Sequence, residues 1–255
     1  MKRTILLMTL LAVALLIGGF VVLLRPYFIG IRPAWFPSER VSSDWAAFVP
    51  LKNSPFTTAE NVEISLFNND VKNPRVMIED QTGNVLVSEP SIGRVSSISK
   101  AGERVTLIEG LLQPHGLALR DGFLYVAETA QVLRYAYDGV TAADPQVLLS
   151  LPSGGRHWTR TIGFGPDDGL YISIGSSCNI CLEEDWRRDK ILRYDLQTQA
   201  LEDYAVGLRN AVFFAWHPET GELYATEMGR DWLGDDLPPD ELNQPAPGLI
   251  RAERT

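Results

Sequence analysis

From about residue 70 onward the chain repeats one short pattern of apolar and polar positions. A turn glycine is followed by apolar side chains alternating with small or polar ones, and the run closes on a small or acidic residue. It reads Gly83-Asn84-Val85-Leu86-Val87-Ser88-Glu89, then Gly122-Phe123-Leu124-Tyr125-Val126-Ala127-Glu128. It returns as Gly169-Leu170-Tyr171-Ile172-Ser173-Ile174-Gly175 and as Gly221-Glu222-Leu223-Tyr224-Ala225-Thr226-Glu227. Alternation with period two is the signature of half-buried strands. Apolar runs such as Arg75–Asp80 and Gly116–Asp121 precede the glycines, so each unit reads as a β-hairpin. A third strand follows at Arg94–Ile98, Gln131–Tyr135 and Lys190–Asp195.

The turn glycines lie about 39, 47 and 52 residues apart, which suits a four-stranded propeller blade. No segment after residue 25 holds a helical period, so the expected fold is all-β and blade-repeated. Four blade-like units are countable, the fourth stopping short, whereas a ring at this spacing ordinarily closes with more.

The N-terminus has a different pattern. Met1-Lys2-Arg3-Thr4 leads into an apolar run from Ile5 to Leu24, and about 20 helical residues suffice to cross a bilayer core of roughly 30 Å. The run is longer than the apolar core of most cleaved signal peptides, and Arg25-Pro26 follows it directly, so a signal anchor is expected. Cleavage is the competing reading, giving a secreted protein. Either way the globular part is placed outside the cytoplasm, on the periplasmic face if anchored. Residues 26–55 mix five prolines with Trp35, Phe36, Trp45 and Phe48, an extended lead-in rather than a helix. The expected organisation is therefore an anchor helix over 1–25, the lead-in over 26–55, a partial propeller over 56–243, and an aberrant tail over 244–255 that reads as a truncation or a shifted frame.

The 255 residues carry a formal charge of -9, which argues against nucleic acid, since binding it requires clustered positive charge. Cys178 and Cys181 are the sole cysteines. A disulfide is the plain reading in an oxidising compartment. A redox-active dithiol would want a helix N-terminus, and a zinc site would want further ligands.

Two phrases exceed what folding requires. One is Gly155-Arg156-His157-Trp158-Thr159-Arg160 running into Phe164-Gly165-Pro166-Asp167. The other is Gly207-Leu208-Arg209-Asn210 followed by Glu227-Met228-Gly229-Arg230-Asp231. Together with Ile174-Gly175-Ser176-Ser177-Cys178-Asn179-Ile180-Cys181, Trp216–Leu223 and Gly234–Asn243, they make the stretch from His157 to Asn243 resemble the glucose/sorbosone dehydrogenase family, nearest its L-sorbosone dehydrogenase branch.

That resemblance implies a six-bladed propeller, here about four blades, and a quinoprotein oxidoreductase acting on a sugar or aldehyde. It implies pyrroloquinoline quinone and calcium as cofactors. His157, eight residues before Gly165, matches the family's general base, an imidazole able to accept a hydroxyl proton near neutral pH. Arg209 matches the arginine that steadies developing negative charge on the quinone, and Asn210 its polar neighbour at the cofactor. Gly229 and Arg230 match the main-chain calcium ligands. Met228 departs from the pattern, standing where an amide is expected, and a thioether is a poor ligand for a hard cation. The acidic run Asp231, Asp235, Asp236, Asp240 and Glu241 reads as a solvated loop or a second calcium loop. His115 and His217 receive no catalytic role. The alternatives are a non-catalytic propeller that binds a glycan or protein, an inactive remnant, and, least fitting, a calcium-dependent lactonase. No electron acceptor is indicated.

Overall fold

The structure, a computed structural model, describes residues 64–233 and 238–246, and the backbone of 249–250. The anticipated anchor helix and lead-in, most of the tail, and Asp235 and Asp236 lie outside these residues. Among the described residues no helix is long and apolar enough to cross a membrane.

The alternating pattern resolves into four antiparallel meanders in chain order. The first contains β1 (Met77–Glu79), β2 (Val85–Glu89), β3 (Arg94–Ile98) and β4 (Arg104–Ile108), and the second β5 (Leu117–Arg120), β6 (Phe123–Ala127), β7 (Gln131–Tyr137) and β8 (Ala142–Ser150). The third contains β9 (Ile162–Phe164), β10 (Leu170–Ile174), β11 (Lys190–Tyr194) and β12 (Leu201–Val206). The fourth has three strands, β13 (Phe214–Trp216), β14 (Leu223–Glu227) and β15 (Glu241–Asn243). Each anticipated hairpin and third strand falls on a strand of this set. Within the tail, Leu249–Ile250 form β16, which pairs in parallel with β12 as a fifth strand of the third sheet.

The apolar side chains pack between successive sheets, which is how a propeller forms its core. Leu86, Val95, Leu117, Leu124 and Leu133 fill the first junction, and Tyr125, Val132, Ile162, Ile172 and Leu192 the second. Tyr171, Ile191, Leu208, Leu223 and Ala225 fill the third, where the Tyr171 and Trp216 rings meet edge to face at 5.0 Å. Polar contacts cross the same junctions. The Tyr137 hydroxyl on the second sheet donates to Asp80 at the end of β1 at 2.7 Å, and Arg120 pairs with Asp168.

The described residues form two units. All four sheets belong to the unit of residues 44–228 and 240–255; residues 229–239 belong to the other.

Candidate functional site

Three loops leaving the third and fourth sheets carry the candidate residues: 152–160 before β9, 175–181 after β10, and 207–213 between β12 and β13. Gly175 is where they converge. A Cβ there would lie 2.5 Å from Asn210 Oδ1 and 2.8 Å from His157 Cβ, so only glycine lets these two side chains approach across the end of β10. Gly155 has a similar role with a left-handed backbone (φ +84°), since a Cβ would strike the Ser177 backbone at 2.6 Å. This close approach lets the Arg156 N–H donate to Ser177 O at 2.8 Å.

His157 is half-buried, and Ser176 fixes its ring. The His157 Nδ1 lies 2.8 Å from the Ser176 carbonyl oxygen and 2.9 Å from its Oγ. A carbonyl can only accept, and the Ser176 hydroxyl spends its hydrogen on Cys178 O at 2.7 Å. Nδ1 therefore carries the proton, and in the neutral ring Nε2 holds the basic lone pair.

Arg209 is buried. Its Nε donates to the Asn179 main-chain oxygen at 2.9 Å, its Nη2 to Asn179 Oδ1 at 2.9 Å and its Nη1 to Met228 O at 3.0 Å. Met228 thus contributes a backbone carbonyl, while its sulfur lies 3.8 Å from Asn210 Nδ2. Asn210 is buried as well; its N–H donates to Glu227 Oε1 at 3.1 Å, and its carbonyl accepts from Met228 N–H at 3.3 Å. The Ser176 N–H donates to Arg209 O at 2.8 Å, joining the arginine loop to the histidine loop. Thr161 Oγ1 and Ser173 Oγ hold the same loop from the third sheet by donating to Val212 O and Ala211 O.

Two further arginines, not singled out from the sequence, support the histidine loop from beneath. Arg160 is fully buried and donates to His157 O at 2.9 Å, Thr159 O at 2.7 Å and Pro152 O at 2.7 Å. Burial, helped by the neighbouring Arg188 charge, pulls its guanidinium down to about 10, so it remains a cation at neutral pH. Arg188 gathers Ser153 O at 3.0 Å, Gly154 O at 2.9 Å and Gly175 O at 3.3 Å. Within a chain of net charge -9, three buried guanidinium groups bond carbonyl oxygens of the loops that carry His157 and Asn179. Arg160 stands three residues after His157 in the quoted phrase, but nothing in the pattern marks it as internal.

Cys178 and Cys181 are joined by a disulfide. They and Glu183 form the sole metal-sized cluster of His, Cys, Asp and Glu side chains among the described residues. With both sulfurs bonded to each other, that cluster lacks a calcium donor set. Gly229 and Arg230 lie in the separate 229–239 unit. His115 is fully buried against Trp158 and Phe213, and the His217 ring caps its own turn, accepting from the N–H groups of Glu219 and Thr220 at 3.3 Å.

The TrAA12-like family matches residues 56–249 of the chain. A protein of Borreliella burgdorferi described as uncharacterized is 30% identical over 196 residues, covering 71% of this chain and 51% of its own. A pyrroloquinoline quinone-dependent sugar dehydrogenase of Hypocrea jecorina is 27% identical over 225 residues, covering 72% of this chain and 51% of its own. The chain thus spans about half the length of the curated relatives it matches. Among solved structures, a putative oxidoreductase (glucose dehydrogenase) of Thermus thermophilus aligns with a TM-score of 0.61 at 26% identity, over 71% of this chain and 64% of its own.

Proposed function

The chain belongs to the TrAA12-like family, and on that premise we propose that it is a quinoprotein sugar dehydrogenase using pyrroloquinoline quinone with calcium. The observation that carries the reading is the state of His157. With Nδ1–H committed to Ser176, Nε2 is the basic nitrogen, as a general base for a sugar hydroxyl requires.

The residues fit an anionic, acceptor-rich quinone. The buried guanidinium groups supply positive charge in a low-dielectric setting, and the missing side chain at Gly175 lets His157 and Asn210 come together. When bound, the quinone supplies the two-electron oxidant that accepts hydride from the substrate carbon. His157 Nε2 takes the hydroxyl proton, and the Ser176 carbonyl, already accepting from Nδ1–H, stabilises the imidazolium that results. Arg209, held at three nitrogens, presents a fixed charge that need not reorganise as negative charge develops. Asn210 adds a polar contact beside it. Calcium takes oxygen ligands, and the family resemblance gives it the main-chain oxygens of Gly229 and Arg230, within the 229–239 unit.

The substrate class is an aldose or related sugar aldehyde, sorbosone included. The disulfide supports an extracytoplasmic site of action, with the N-terminal segment as anchor; fractionation of cells expressing the chain checks both. The deciding experiment loads the 255-residue chain with the quinone and calcium and follows dye reduction with a panel of aldoses and L-sorbosone. His157→Ala is expected to keep quinone binding and lower kcat by roughly 100-fold or more. Quinone binding without turnover on any sugar would favour a binding module instead.

A further inference from the structure

Arg209 is the cation of the proposed site, yet a residue on a different loop sets its position. Asn179 accepts twice from the one guanidinium, through its main-chain oxygen and its Oδ1, both at 2.9 Å. Arginine only donates, so both contacts require oxygen from Asn179, and a two-point grip on a planar fork fixes direction as well as distance. The neighbouring residue in the same turn holds the other arm of the site. Cys178 O accepts from Ser176 Oγ at 2.7 Å, and Ser176 in turn fixes the His157 ring.

Apolar packing contributes little to this turn, since Ile180 is 59% exposed and Leu182 97% exposed. The turn is closed by the Cys178–Cys181 bond and braced by Glu183, whose Oε1 accepts from Ser177 N–H at 2.7 Å and whose Oε2 lies 3.8 Å from Arg188 Nε. We propose that Asn179 is the positioning residue for Arg209, and that the Cys178–Cys181 disulfide keeps it in place, so that opening the disulfide loosens the arginine and histidine arms together. The functional meaning of this clasp rests on the quinoprotein reading; its existence does not.

The test measures amide hydrogen exchange on the 255-residue chain and its Asn179→Ala and Asn179→Asp variants. Wild type is also measured after dithiothreitol, which is oxidised to its cyclic disulfide as the two thiols form. In Asn179→Ala and in the reduced protein, Ser176 and residues 207–211 should exchange about 10-fold faster, as loss of hydrogen bonds to a charged group implies, while β10 and β11 stay protected. Asn179→Asp keeps an acceptor at the same place and should retain protection. With quinone loaded, however, its carboxylate offsets the Arg209 charge and should weaken quinone affinity about 10-fold, lowering kcat with little change in sugar KM. Unchanged exchange at 207–211 in both Asn179→Ala and the reduced protein overturns the clasp, as does loss of protection throughout the third sheet, which would make the turn a general stability element. A wild-type chain that binds no quinone defeats the proposed function while the exchange data still decide the clasp.

Discussion

His115→Phe should be less stable than the wild type at neutral pH and more stable than it in acid. His115 is fully buried. Its Nδ1–H donates to Arg160 O at 3.2 Å, and its Nε2 has no hydrogen-bond partner among the described residues. Burial pushes the ring from its ordinary 6.5 down to about 4; the Arg160 carbonyl opposes that shift and the charges of Arg75 and Arg160 reinforce it. Between those values the unfolded chain holds a proton that the folded chain refuses, so stability must fall as pH drops from 6.5 towards 4. At about 1.4 kcal/mol per unit the full effect is about 3 kcal/mol. Phenylalanine retains the edge-on contact with Trp158 and the contact with Phe213 but forfeits one hydrogen bond, worth about 1 kcal/mol. The variant should therefore be about 1 kcal/mol less stable at pH 7, equal near about pH 6, and more stable by about 1.5 kcal/mol at pH 4.5. Urea unfolding followed by tryptophan fluorescence at a series of pH values measures this. Parallel curves for the two proteins between pH 7 and 4.5 would refute a neutral, desolvated His115.

Gly175→Ala should place a methyl against His157 and Asn210 and lower quinone affinity about 10-fold or more, while β10 and β11 keep their hydrogen-exchange protection; equilibrium titration with the quinone checks it. Arg160→Met removes three carbonyl partners from the His157 loop and should cost roughly 3 kcal/mol in urea unfolding, since buried acceptors lose a charged donor. Asp80 is held at about 2: burial opposes ionisation, but hydrogen bonds from Tyr137, Thr82 and Asn84 outweigh it. Its stabilisation is complete above about pH 4 and is lost as pH falls towards 2. Tyr137→Phe should therefore be less stable by about 1 kcal/mol at pH 7 and show a shallower acid limb in the same titration.

The strands were legible because their cause is local. Alternation in Val85–Glu89 and Phe123–Ala127 marks strands, although both are buried on both faces rather than one because each lies inside its sheet with neighbouring sheets packed on it, and a glycine at positions such as Gly83 and Gly122 takes the left-handed backbone of the turn (φ 83° and 77°). The same locality hid β16, two residues whose pairing with β12 depends on a partner more than forty positions away. At the site, the phrases around His157 and Arg209 were visible as residue types. Their supports were not: Ser176 and Asn179 sit inside a quoted phrase, yet nothing in one dimension says that one orients a histidine 19 residues away and the other an arginine 30 residues away. Arg160 offers the sharpest case, since a charged side chain is ordinarily expected at the surface, and only the loop carbonyls folded around it make burial tolerable.

The sequence by itself therefore determined the all-β repeat, the order of the sheets and the types of residue available for chemistry, because period, turn chemistry and charge act over a few neighbouring positions. Only the tertiary structure decided which nitrogen of His157 is basic, what holds Arg209 and why Gly175 must lack a side chain. These depend on hydrogen bonds and close contacts between three loops that the chain brings together only once its sheets have packed.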